Sequence, residues 1–77
     1  MIMTLKDLKP GEKGVIQDIQ LPHQAKLRFM VMGILKGSIV EVINFAFMGD
    51  PIVIGIAEQR LAIRKKEAAG IIVEKVV

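Results

Sequence analysis

The sequence contains no cysteine, no tryptophan and no tyrosine, and it has one histidine and three phenylalanines. Without thiols there is no disulfide and no thiolate metal site, which fits a cytoplasmic setting. Structural zinc takes four Cys or His ligands, and a non-haem iron centre takes two histidines and a carboxylate. His23 stands alone, and the 8 acidic residues are scattered. No metal ligand set and no cofactor are therefore expected. His23 reads as a helix-start residue, with a weak surface metal contact as the alternative. Hydroxyls are as scarce. Ser38 and Thr4 are the only Ser and Thr, and His23 is the only candidate base. A nucleophile, a base and an orienting group are not all on offer, so no catalytic residue is expected. Lys36-Gly37-Ser38 has the wrong order for a phosphate-binding loop. Long apolar runs are also missing. A membrane-spanning helix needs about 20 such residues, whereas Phe29 to Leu35 and Pro51 to Ala57 are the longest stretches here. The Lys6-Asp7 break in the opening segment argues against a secretion signal.

What remains is a short, apolar, β-rich chain. Its 77 residues allow one domain, 1–77, and 52% of them are hydrophobic. Domains of this size bury only about 60% of their unfolded surface and have little stability to spare. Valine and isoleucine together far outnumber leucine, and branched side chains suit pleated surfaces. The formal net charge of +3 is a mild attraction to anionic partners.

Pro10-Gly11, Gly33, Lys36-Gly37, Gly49-Asp50-Pro51 and Gly70 cut the chain into short pieces. Lys13 to Gln20 reads as a strand whose imperfect alternation allows a bulge. Pro22 can open a helix over His23 to Met32, and Gly33 fits a left-handed stop. Ser38 to Phe45 is a strand with Val40 and Val42 on one face and Ile39 and Ile43 on the other. Ile52 to Ala57 is another, with Ile52, Ile54 and Ile56 in phase. Leu61 to Ile63 is a short strand, Arg64 to Ala69 a short helical turn, and Ile71 to Lys75 a closing strand. The pattern is mainly β, with about five antiparallel strands, one helix between the first two and a helical turn before the last. Chains of this kind close into a small barrel, because closure removes exposed edges.

The helix is the informative element. Ala25, Phe29 and Met32 form one stripe; Leu27, Met30, Val31 and Ile34 form a second, roughly opposite. A small barrel can bury one stripe. The second is either wrapped by a loop or left for a partner, which could be another copy of the chain. The densest basic stretch is Arg60, Arg64, Lys65 and Lys66, flanked by Glu58 and Glu67. It reads as a solvated face. Nucleic-acid binding is the weaker reading, since stacking aromatics are lacking.

Four segments in register resemble the FeoA family, ferrous iron transport protein A. Leu5 to Gly14 resembles its "L-x-x-L-x-x-G-x-x-G" opening. Leu27 to Gly37 is similar to its "RRL-x-x-(L/M)-G-(I/L)-x-(P/K)-G" signature. Ala46 to Pro51 resembles its "A-P-x-G-D-P" turn. Leu61 to Ala68 resembles its "L-A-L-R-x-x-E-A", with Ile71 to Val73 as the closing strand. The resemblance implies an SH3-like barrel, a cytoplasmic location and a role beside the membrane transporter FeoB, which carries a cytoplasmic GTPase domain. It implies an accessory or regulator and not the pore.

Three departures bear on the surface. Leu27 stands where the family often has a basic residue, Val31 where an acid is common, and Phe47 in place of the usual proline. In the family register Phe29 and Met32 face the barrel, which makes Leu27 and Val31 solvent-side positions turned apolar. Leu27, Met30 and Val31, with Arg60 and Arg64, are thus the candidate partner-binding residues. In a sharper version, Arg60 or Arg64 reaches the GTPase site as an arginine finger. The alternatives are a regulatory domain of the kind appended to metal-dependent repressors, acting in trans, and a small nucleic-acid-binding barrel.

Overall fold

The structure is a computed structural model and describes residues 1–76. In chain order the strands are β1 (Ile2–Thr4), β2 (Lys13–Ile19), β3 (Ile39–Phe45), β4 (Ile52–Ile56), β5 (Gln59–Ile63) and β6 (Ile71–Val76). The helices are α1 (His23–Val31) and α2 (Lys65–Ala68), and single 3-10 turns lie at Leu5–Asp7 and Phe47–Gly49. All six strands form one antiparallel sheet in the order β1-β6-β2-β3-β4-β5. The mainly β class expected from the pattern, which the resemblance specifies as an SH3-like barrel, holds, with six strands in place of about five.

The additional strand is β1, three residues long and paired with Ile72 to Glu74 of β6. A strand of three residues, Ile2 to Thr4, is too short to show a period-two pattern. Its strand state comes from β6, whose edge it covers. The N-terminal ammonium reinforces the pairing by an ion pair to Glu74, and the Lys75 N–H donates to the Met1 carbonyl at 3.0 Å.

The core follows the period-two pattern. Ile16 and Ile19 of β2, Val40 and Val42 of β3, Ile52, Ile54 and Ile56 of β4, Ile63 of β5, and Ile71 and Val73 of β6 are all buried. Leu5, Leu8, Phe29, Ile34 and Ala68 complete the cluster. Two short helices cannot cover six strands. The sheet therefore covers its own inner face, and that self-covering makes it a small barrel. The register of β2 against β6 slips between Ile16 and Asp18. This is the bulge anticipated in β2, and it returns Ile19 to the inner face after Ile16. A Cβ on Gly70 would lie 2.6 Å from the carbonyl oxygen of Gln20. Glycine is thus the residue that lets the chain enter β6 close against the end of β2.

The β4–β5 connection is tighter than the sequence suggests. Ala57 and Glu58 occupy a two-residue turn with φ of 49° and 65°, the mirror-image geometry that matches strand twist. Neither residue is a turn-former, so the sequence pattern predicts this strand only from Leu61, whereas pairing already starts at Gln59.

Helix α1 ends one residue early, with Met32 at its C-cap and Gly33 at φ 90°. Ile34 departs from its assigned stripe. It lies beyond the helix and is fully buried, because the left-handed glycine reverses the chain and turns Ile34 inward.

Candidate functional site

Phe29 anchors α1. It is 2% exposed and sits in the core, with Met32 packed against the same cluster. Two polar contacts fix the helix on either side. The Arg28 guanidinium donates to the Glu67 carboxylate of α2, and its carbon centre lies 5.0 Å from the centroid of the Phe29 ring. The Gln59 side-chain amide of β5 donates to the Met32 carbonyl at 3.0 Å, satisfying an orphan acceptor at the helix end. With Phe29 buried, Ala25 and Met32 half-buried and both flanks tied, the outer stripe faces solvent. Val31 is 88% exposed, and Leu27 and Met30 are 45% exposed. Leu35, just past the helix, is also exposed. Of the two fates open to the second stripe, it is left uncovered.

A shallow hollow of about 460 Å³ opens beside this stripe, lined by Ile19, Met30 and Leu35 and rimmed by Lys26, Lys36 and Asp18. Asp18 is held below the ordinary carboxylate range by the Ile19 N–H and then by the Gln20 side-chain amide. Helix α1 itself carries Lys26 and Arg28 and no acid. The face is therefore apolar at its centre and mainly cationic at its rim.

The five candidate residues do not form one cluster. Leu27, Met30 and Val31 share the outer face of α1. Arg60 lies on β5 opposite Gly55 and lines a separate polar groove with Lys13, Glu41 and Glu58. Arg64 is the N-cap residue of α2 and lines a third hollow with Asp50, Pro51 and Ala62. Arg60 does follow Gln59, the residue that holds the end of α1. The reading from sequence also missed a second exposed apolar feature, the turn at Phe47 and Met48, which are 87% and 84% exposed. The signal for it in the sequence is Phe47 itself, which stands where the family usually has a proline.

Among the described residues no three His, Cys, Asp or Glu side chains come together as a metal-binding group. Among the described residues no helix is long and apolar enough to cross a membrane.

The model of the FeoA domain family matches residues 3–75. An iron uptake regulatory protein described as FeoA superposes with a TM-score of 0.86 at 32% identity, covering 99% of both chains. FeoA from Stenotrophomonas maltophilia, a procaryotic SH3 domain protein crystallised with zinc, gives a TM-score of 0.82 at 26% identity, covering 94% of this chain and 89% of that one. A manganese-dependent transcriptional repressor matches with a TM-score of 0.85 over 97% of this chain and 41% of its own, at 20% identity, which is a likeness of fold alone. A search of curated proteins finds no match.

Proposed function

The chain belongs to the FeoA family of ferrous iron transport, and from that membership we propose that it is a cytoplasmic, non-enzymatic accessory of a FeoB-type membrane transporter. It docks on the transporter's cytoplasmic GTPase region through the outer face of α1. The observation that carries this reading is the exposed stripe of Leu27, Met30 and Val31 on a helix held rigid from behind by Phe29. An apolar stripe on a fixed helix needs little reorganisation to bind, so less of the contact energy is lost to ordering.

The rim narrows the partner's chemistry. Lys26 and Lys36 border the hollow beside Met30. A second copy of the chain would bring these cations together, whereas a partner segment with an acidic border would complement them. Docking alters transport to the extent that the stripe binds one conformational state of the transporter more tightly than another. Arg60 and Arg64 lie on other faces. Either is within the docking surface only if the partner wraps past the end of α1.

The test is an NMR titration of isotopically labelled protein with the transporter's cytoplasmic GTPase domain. Shift changes centred on Leu27, Met30, Val31 and Leu35 are expected. Changes confined to Arg60 or Arg64 would relocate the interface, and none at saturating partner would remove the reading. The repressor-like alternative rests on fold alone and predicts that manganous or ferrous ion, with no partner, shifts a defined set of resonances.

A further inference from the structure

The Phe47–Met48 turn lies at the end of the sheet where β3 and β5 finish and β4 begins. It is a fixed apex. The Gly49 N–H donates to the Ala46 carbonyl at 2.9 Å, the Ala46 N–H donates to the Pro51 carbonyl at 2.9 Å, and Met48 is held at φ 63°. Two large apolar side chains are thus pushed into solvent side by side.

The cations beside them are placed by a specific contact. The Asp50 carboxylate, immediately after the turn, accepts the Lys65 backbone N–H at 2.9 Å. This brings the start of α2 against the apex, with Arg64, Lys65 and Lys66 all exposed. The local acids are already engaged: Asp50 by that N–H, and Glu67 by Arg28 and the Arg64 N–H. The 3-10 turn packed against α2 carries Lys6 and Asp7, and Asp7 is taken up by Thr4. Counting Arg28 and Lys6, this end carries five cations against three carboxylates, Asp50, Glu67 and Asp7.

We propose that this end of the barrel is a docking site for an anionic phospholipid surface. Phe47 and Met48 enter the headgroup boundary, and Arg64, Lys65 and Lys66 contact lipid phosphates. Apolar insertion and cationic attraction are each too weak alone and bind together. The site lies apart from the outer face of α1. A chain docked by the apex keeps that helix free for a protein partner, and the inference stands whether or not such a partner binds there.

The test is co-sedimentation of the full chain with vesicles of pure phosphatidylcholine and with vesicles holding roughly one phosphatidylglycerol for every three phosphatidylcholines, across a range of salt. Binding to the anionic vesicles only, and its loss as salt screens the charges, is expected. Lys65→Ala with Lys66→Ala should weaken it roughly 30-fold, and Phe47→Ser about tenfold. These side chains are exposed, so an unchanged amide spectrum establishes that each variant is folded. Leu27→Ser, which removes apolar surface from α1 without changing charge, should leave vesicle binding untouched, which separates this inference from the docking of α1. Equal binding to neutral vesicles, no binding to either kind, or indifference to the Lys and Phe variants would overturn it. So would retention on RNA or DNA that the same Lys variants abolish, in the absence of vesicle binding.

Discussion

The Arg28 guanidinium joins α1 to α2 by donating to the Glu67 carboxylate while lying over the ring of Phe29, the residue that roots α1 in the core. One side chain thus spans three features of the fold. Arg28 is 56% exposed at its side chain and Glu67 only 17%. The pair is partly screened, and its contribution lies near the upper end of the range for surface ion pairs, about 1 kcal/mol. In a double-mutant cycle of Arg28→Ala and Glu67→Gln, measured by urea unfolding, the coupling should be about 0.5–1 kcal/mol and should shrink with added salt. A salt-independent coupling would mean that Arg28 acts by packing on Phe29 instead.

Phe29 is the one buried residue of α1. Phe29→Ala should cost about 3–5 kcal/mol. For a domain this small that is a large part of the total stability. The expected readout is a strongly lowered melting temperature with loss of dispersed amide resonances. A near-unchanged transition would mean that the helix is not rooted through this ring.

Val31 tests the opposite face. Its side chain is 88% exposed, so Val31→Asp should change stability by no more than about 0.5 kcal/mol. It should weaken binding of the GTPase domain, both by removing apolar contact and by placing a carboxylate toward an acidic partner rim. Calorimetric titration gives the comparison. Unaltered affinity would show that the outer stripe is not the interface.

The β4–β5 turn stores backbone strain at two residues that are not glycine. A left-handed conformation costs roughly 1–2 kcal/mol for an L-residue, and glycine removes most of it. Glu58→Gly should therefore stabilise the fold by up to about 1 kcal/mol, even though glycine loosens the unfolded chain. Chemical denaturation decides it, and a destabilised variant would show that Glu58 makes contacts worth more than its strain.

Three carboxyls sit below their ordinary range. Asp7 is lowered by the Thr4 N–H and then its hydroxyl, Glu12 by Lys75 and the Lys9 N–H, and Asp18 by the Ile19 N–H and then the Gln20 side chain. A depressed folded pKa means that the unfolded chain binds protons more readily. Stability from these groups is complete above the unfolded values, near about 4, and is lost as pH falls through the folded values. The melting temperature should be flat with respect to these groups near neutrality and fall in acid. Glu12→Gln should flatten part of that acid limb. A limb unchanged in the Gln variant would place the titration elsewhere.

Most of the strand pattern was legible because its cause is local. The alternation of Ile52, Ile54 and Ile56, and of Val40 and Val42, marks an inner face directly, and Gly33 marks the helix end. Strand β1 and the start of β5 were not legible. Three residues carry no periodic signal, and the Ala57-Glu58 turn uses no turn-forming residue. Helical spacing names the outer stripe of α1, but only the family register places Leu27 and Val31 toward solvent, where the structure has them. Helical spacing fixes the angle between two stripes and says nothing about which neighbours cover them.

Residue type and short-range spacing are enough to make this chain short and β-rich, with few groups for chemistry and a helix apolar on two sides. It took the assembled fold to put Ile34 in the core, away from the stripe it shares by spacing, and to draw Lys65 to the Phe47–Met48 apex through Asp50. Those outcomes depend on which distant segments meet. In a barrel that is set by sheet closure and turn geometry, which no local window contains.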